Sequence, residues 1–187
     1  VDQTNESDVH FLSRLARQHD AVATIKQGKL LFLPINATKT STGKTLAAVR
    51  ITRSSGDRHR YHSSEREAYT AVRAYWSDTG QARRKGAVAG SGKNEKRLKD
   101  TYGSQEDALA AAKAELQRVE RGLATFEIDL ALGQPQITPQ TPVTVAGFKP
   151  EIDGTGWLVK TATHTLAESG LITRLEMERG GATEAKE

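Results

Sequence analysis

The chain contains no cysteine. That excludes disulfide staples, thiolate nucleophiles and sulfur-ligated zinc or iron–sulfur centres, and it fits assembly in a reducing cytoplasm. Nor is there an apolar run approaching the ~18 residues that a membrane-spanning helix needs, or the h-region of a signal peptide. The expectation is a soluble protein without a membrane span. Charge of one sign is not in large excess: 27 Lys and Arg against 23 Asp and Glu leave a formal net charge of +4. That permits weak attraction to nucleic acid and is far from demanding it. With 187 residues, 36% of them hydrophobic, the chain can bury one sizeable core, or one domain and part of a second.

Signatures of chemistry are missing too. Gly43-Lys44-Thr45 has the ending of a phosphate loop, but the pattern needs a glycine at position 38, where Thr38 stands, and a strand rather than a helix is expected after it. Of the five histidines, His59 and His62 are spaced for a metal only on a helix or tight turn, and spacing suggests no third ligand. No Gly-x-Ser-x-Gly elbow or metalloprotease helix occurs. Glu127 and Asp129 share one strand face, as solvent-facing carboxylates commonly do. No catalytic residue, metal ligand or cofactor site is therefore expected, and the chain does not read as an enzyme.

What is present is a succession of short elements. Asn5 or Ser7 can cap a helix carrying Phe11, Leu12, Leu15 and Ala16 on one face. Ala21–Ile25, a turn at Lys26-Gln27-Gly28-Lys29 and Leu30–Leu33 read as a hairpin stopped by Pro34. Residues 35–45 are a polar linker. A strand runs from Leu46 to a turn at Ser54–Asp57, from which Arg58–Tyr61 can return. Over residues 64–77 the capping box of Ser64 and Glu67 and the β-formers Tyr69, Val72, Tyr75 and Trp76 leave helix and strand close to even. Asp78-Thr79-Gly80 followed by Gln81–Ala89 looks like a hairpin tip and its return strand. From Arg83 to Lys99 the cations Arg83, Arg84, Lys85, Lys93, Lys96, Arg97 and Lys99 alternate with glycines and no aromatic residue. The expectation there is a solvated, mobile loop, with weak electrostatic contact to nucleic acid as the functional alternative. Ser104 caps a long helix over 104–121, ended by Gly122. Phe126, Ile128, Leu130 and Leu132 then alternate with polar neighbours as a half-buried strand, and Val143–Ala146 is one more. Trp157–Leu166 and Leu171–Met177 form a last hairpin, with Trp157, Val159, Thr161 and Thr163 on one face of its first strand and Leu158, Ala162, His164 and Leu166 on the other.

The order Gly147-Phe-Lys-Pro-Glu-Ile-Asp-Gly-Thr-Gly-Trp157, a strand carrying Thr163-His-Thr-Leu166, then Ser169-Gly170 and a strand of the T-x-L-E-x-E type resembles the late control protein D family of contractile-tailed phages. Diverged copies of that core occur in the hub-like part of type VI secretion spike proteins. The helix with Glu6-Ser7-Asp8 and Phe11-Leu12 and the hairpin after it look like the end of that family's middle domain. The segment from Tyr69 through Val72 and Trp76 to Asp78 matches a family pattern that opens a barrel hairpin, which favours the strand there. Gln140 and Ile137 stand where the family has Gly and Leu, altering local turn geometry.

The resemblance implies an α+β, mostly β fold: residues 1–45 as the last part of a middle domain and its linker, and 46–187 as a β-barrel tube domain with helix 104–121. It implies a C-terminal segment of a longer baseplate hub, located in the virion tail after assembly in the host cytoplasm. The longer chain would form a homotrimeric collar of two barrels per subunit between tail tube and spike proteins, with DNA passing through. His164 would make a hydrogen bond near the barrel rim. These residues carry one barrel, so this chain by itself is expected to trimerise weakly or not at all.

Overall fold

The computed structural model describes residues 3–26, 28–35, 46–64, 68–78, 80–168 and 170–180. The expected linker with Gly43-Lys44-Thr45, and the helical turn at Ser64–Glu67 beyond Ser64, lie outside the described residues. Along the chain come α1 (Asp8–Gln18), β1 (Ala21–Lys26), β2 (Lys29–Pro34), β3 (Val49–Thr52), a 3-10 turn at Arg53–Ser55, β4 (Gly56–Ser63), β5 (Ala71–Asp78), β6 (Arg83–Gly90) and β7 (Glu95–Tyr102). Then follow α2 (Gln105–Gly122), β8 (Ala124–Leu130), β9 (Pro142–Ala146), the single-turn α3 (Pro150–Asp153), β10 (Trp157–Ala167) and β11 (Gly170–Arg179). The fold is mostly β with one long helix.

Packing divides the chain into two units that interleave in sequence: Val1–Ile35 with Glu67–Glu120, and Asn36–Arg66 with Arg121–Glu187. Residues 67–120 pack in the same unit as the first helix and hairpin.

In the first unit, Ser7 caps α1 by accepting the His10 N–H, and β1 and β2 pair antiparallel from Ala21 with Pro34 to Lys26 with Lys29. The second sheet has the order β6-β5-β7, with β6 antiparallel and β7 parallel to the central β5. Its core is built from small residues: Val72, Ala74, Ala87 and Ala89 of the sheet meet Ala108 and Ala112 of α2, flanked by Trp76, Leu98, Tyr102 and Leu116. Alanine combines high helix propensity with close approach of helix to sheet. The Ser104 Oγ accepts the Asp107 N–H at 3.1 Å, which starts α2 where the capping pattern predicts. The link from β6 to β7 passes under the start of β5: Ser91 N donates to Thr70 O at 3.1 Å and Thr70 N to Asn94 O at 2.9 Å. Glycine is required in that crossing. A Cβ on Gly90, at φ +81°, would lie 2.4 Å from Thr70 O, and one on Gly92, at φ +131°, 2.2 Å from Thr70 Oγ1.

The second unit is one six-stranded sheet in the order β3-β9-β10-β11-β8-β4, antiparallel except for β3 on β9. Its edge strands β3 and β4 are consecutive in the chain and joined only by Arg53–Ser55. A flat sheet would hold those edges about 24 Å apart, and the four peptide steps from Thr52 to Gly56 reach at most about 14 Å. The sheet must therefore curl until its edges approach at that end. It is a half-barrel. The expected return of Arg58–Tyr61 against the strand before it is corrected by this topology: β4 pairs with β8, and β3 with β9. Hydroxyls tighten the corner, with Thr52 Oγ1 2.9 Å from Ser55 Oγ.

Phe126, Ile128, Leu130, Val143, Val145, Trp157, Val159, Leu175 and Met177 fill the inner face. The Phe126 ring meets Phe148 edge-on at 5.1 Å and Trp157 at a tilt at 5.4 Å between centroids, each pair contributing roughly 0.5–1.5 kcal/mol beyond area burial. The Gly147–Trp157 segment serves this core. The Asp153 carboxylate accepts the N–H groups of Gly147 at 2.9 Å and Phe148 at 3.1 Å, and Trp157 Nε1 donates to Ile152 O at 3.0 Å. Leu132, expected in β8, lies beyond the strand and is 81% exposed.

Strict alternation fails in β10, where the register shifts. Val159 pairs with Met177 and Thr161 with Glu176, so Lys160 is a bulge residue. The expected face assignment is corrected: after the bulge Ala162 and His164 share the inner face with Trp157 and Val159, and Thr161 and Thr163 turn outward.

Candidate functional site

The cations expected in a mobile loop lie instead on two strands. Arg83, Arg84 and Lys85 belong to β6, Lys96, Arg97 and Lys99 to β7, and only Lys93 to the link between them. The physical cause is that an edge strand with a wet face can be as charged as a loop, and β6 and β7 are the edges of their sheet. Register puts Lys85 opposite Trp76 and Arg83 opposite Asp78, on the face that packs α2, and Arg84 opposite Ser77 on the other face. Lys96 turns to α2, with Nζ 2.6 Å from Glu115 Oε1.

Most of these cations are engaged. Lys85 Nζ donates to Asp78 Oδ2 at 2.7 Å, Arg97 Nε donates to Glu95 Oε1 at 3.3 Å, and the Arg84 guanidinium stacks 3.9 Å from the Tyr75 ring centroid. Arg83, Lys93 and Lys99 have no ion pair among the described residues. Glu95 also takes two 2.8 Å bonds from Arg73. That bonding holds its carboxyl below the usual range, as Lys85 does for Asp78. A segment split between two faces, with Lys85, Lys96 and Arg97 held in ion pairs and its nearest ring already covered by Arg84, does not support a nucleic-acid-binding module.

The outer face of the half-barrel carries a second set of charges, of which the chain pattern points only to Glu127 and Asp129. Register aligns Arg58, Asp129, Arg174 and Thr163 in one row, and Arg60, Glu127, Glu176 and Thr161 in the next. Arg174 joins the rows: Nη2 lies 3.1 Å from Glu127 Oε2 and Nε 3.7 Å from Asp129 Oδ1. The two carboxylates that share a strand face are thus partners of one guanidinium. Period-two charge in β4 and β8 was the available signal, but the partner strand that aligns it with Arg174 is not written locally. The grid borders a groove shared with Arg53, Asp57 and His59. Such a surface is suited to docking another polar face, since interspersed charges confer register and selectivity more than affinity.

The histidines take structural places. His59 pairs with Ile128 and His62 with Thr125, so they lie on opposite faces of β4; the His59 ring contacts Phe148 at 5.1 Å. His164 sits where β10 and β11 pass the connection after β8. Its Nε2 faces Ile137 O at 3.1 Å, an oxygen that can only accept, so Nε2 carries a hydrogen, and in the neutral imidazole Nδ1 then accepts from Thr173 Oγ1 at 2.9 Å. Thr173 Oγ1 in turn accepts the Gln134 N–H at 2.9 Å. This is the hydrogen-bonding role expected of His164, and it fastens the 133–141 connection to the sheet.

Comparison with known proteins adds three findings. A family model described as phage tail baseplate hub (GPD) matches residues 1–170. The probable baseplate hub proteins of Escherichia phage 186 and Escherichia phage P2 are each 35% identical, over 95% of this chain and 56% of theirs. The chain therefore spans about half the length of the curated relatives it matches. Among solved structures, the 43 kDa tail protein of prophage MuSo2 from Shewanella oneidensis aligns with a TM-score of 0.64 at 18% identity, over 95% of this chain and 55% of that one. At that identity the likeness is one of fold.

Proposed function

The chain belongs to the phage tail baseplate hub family, and we propose that it acts as a structural, non-enzymatic part of a baseplate hub in a tail particle. The observation that carries the proposal is the family match across residues 1–170. In this reading the longer protein is a homotrimer, a collar joining tail tube to spike with a lumen for DNA. It resides in the virion baseplate after assembly in the host cytoplasm. Residues 1–45 close a middle domain and 46–187 contribute a tube domain.

The half-barrel supports the mechanical part. Its inner face is packed with Phe126, Trp157, Leu175 and Met177, giving a stiff wall rather than a ligand cavity, and its outer face is the charge-balanced grid. Passing contact of DNA with Arg83, Lys93 and Lys99 belongs to the same proposal and would weaken steeply with salt. Two measurements test it. Mass spectrometry of purified tail particles should find the full-length protein, and light scattering after size exclusion should give a trimer. A full-length protein that is monomeric at high concentration and missing from particles refutes the hub reading.

A further inference from the structure

Among the described residues the β1–β2 hairpin is a two-stranded sheet with no third strand. Such a sheet is marginal by itself and normally covers an apolar face. Here one face is wet. Register sets Ile25 opposite Leu30 and Ala23 opposite Phe32, and Ile25 is 66%, Leu30 51% and Phe32 39% exposed. These side chains are neighbours on one face, so they form a patch rather than scattered apolar residues, which would need no explanation.

The size of the patch selects its occupant. Three partly exposed side chains offer on the order of 300 Å², well under the ~800 Å² per partner of a stable interface between separate molecules. A second copy or a free tail component could not be held by it. A segment on the same chain could, because tethering supplies an effective concentration in the millimolar range. The curated relatives contain such chain: this sequence covers 56% of their length.

We infer that the Ala23/Ile25/Leu30/Phe32 face of the β1–β2 hairpin is an intramolecular docking face, covered in the full-length hub by an apolar surface of the portion beyond these residues. The inference rests on the reading of this chain as part of a longer hub. The hairpin then becomes one layer of a two-layer core, and the neighbouring part of the hub is positioned through it.

The absence of cysteine makes the test clean in this chain. Ile25→Cys and Leu30→Cys are labelled with a thiol reagent in the 187-residue chain and in the full-length protein, with any native cysteines of the latter replaced by serine. Thr24→Cys, exposed on the other face of the same strand, is the control. The expected result is at least ~10-fold slower labelling at 25 and 30 in the full-length protein, with position 24 changed less than twofold; this corresponds to occlusion in all but a tenth of molecules. Equal rates at 25 and 30 in the two proteins overturn the inference, as does protection in the 187-residue chain that grows with concentration, which would assign the face to self-association. Circular dichroism confirms that each variant is folded. Incorporation into tail particles is scored separately: a protein found in particles with 25 and 30 unprotected keeps the hub reading and sinks the docking face. One that is protected but missing from particles does the reverse.

Discussion

Thr173→Val removes one hydroxyl from a side chain that is completely buried, and the structure states what that hydroxyl does. Valine has the same shape, so no cavity or overpacking is introduced and β-strand preference is kept. What is lost is the relay Gln134 N–H to Thr173 Oγ1 to His164 Nδ1, both steps 2.9 Å long. The part-buried Gln134 N–H is left without its acceptor, which costs at most the roughly 1–3 kcal/mol of a fully buried donor. Water can reach exposed His164, so its loss adds little, and the sum is ~1–2 kcal/mol. At ~2–4 °C per kcal/mol for chains of this length, the thermal midpoint should fall by about 2–8 °C. Thr173→Ser keeps the relay and gives up only a methyl group. Thermal melts followed by circular dichroism compare the variants, and hydrogen exchange should accelerate at Gln134. A valine variant as stable as the parent, or a serine variant that loses as much as valine with unchanged exchange at Gln134, would refute the role assigned to the relay.

Gly90→Ala should destabilise the first unit by ~2–3 kcal/mol in urea titration, because its Cβ would meet the Thr70 carbonyl at 2.4 Å in a backbone conformation glycine favours; a loss under ~0.5 kcal/mol contradicts the crossing drawn for residues 90–94. Asp153→Ala should cost about 1 kcal/mol, as loss of a cap does, and shift Trp157 fluorescence, since the carboxylate holds the Gly147 and Phe148 amides; Asp153→Asn should recover part of it. Stability should fall on acidification. Glu95 and Asp78 have carboxyl groups held below their ordinary values of 4.5 and 3.8. Their contribution is fully present above those values and lost as pH drops through the lower folded-state ones. Glu95→Gln should flatten the acid limb of a plot of thermal midpoint against pH, and a limb unchanged in that variant assigns the acid loss elsewhere.

Where one residue decides a local structure, the chain announces it. Ser7 and Ser104 mark two helix starts, the run Phe126, Ile128, Leu130 displays a half-buried strand, and Leu166 opposite Leu171 follows from the short turn between β10 and β11. Pairing over distance is less legible. β3 and β4 look like a hairpin because their connection is short, but that same short connection closes the ends of a curled sheet, and no local pattern separates the two cases. The bulge at Lys160 is hidden for a related reason. Its flanks, Val159 and Thr161, are both good strand residues, and only the partner positions Met177 and Glu176 reveal the extra residue.

The charged surfaces resisted reading because their information lies in cross-strand alignment. Arg58, Asp129 and Arg174 come from three strands well separated in the chain, and each taken alone is an ordinary solvent-facing charge. Only the register makes them a row. In β7 the obstacle was composition: Lys96 and Leu98 both face α2, yet Lys96 reaches Glu115 through its long stem, so a position on the inner face is occupied by a cation and the period of two disappears. A signal for strands did remain in the glycines. Gly90 and Gly92 on either side of Ser91 suggest a loose loop, but a loose loop has no need of positive φ at both, whereas a chain passing under the start of a neighbouring strand does. In this chain the crossing sets β7 parallel to β5 and places the Arg73–Glu95 pair on the face of that sheet opposite the one that packs α2.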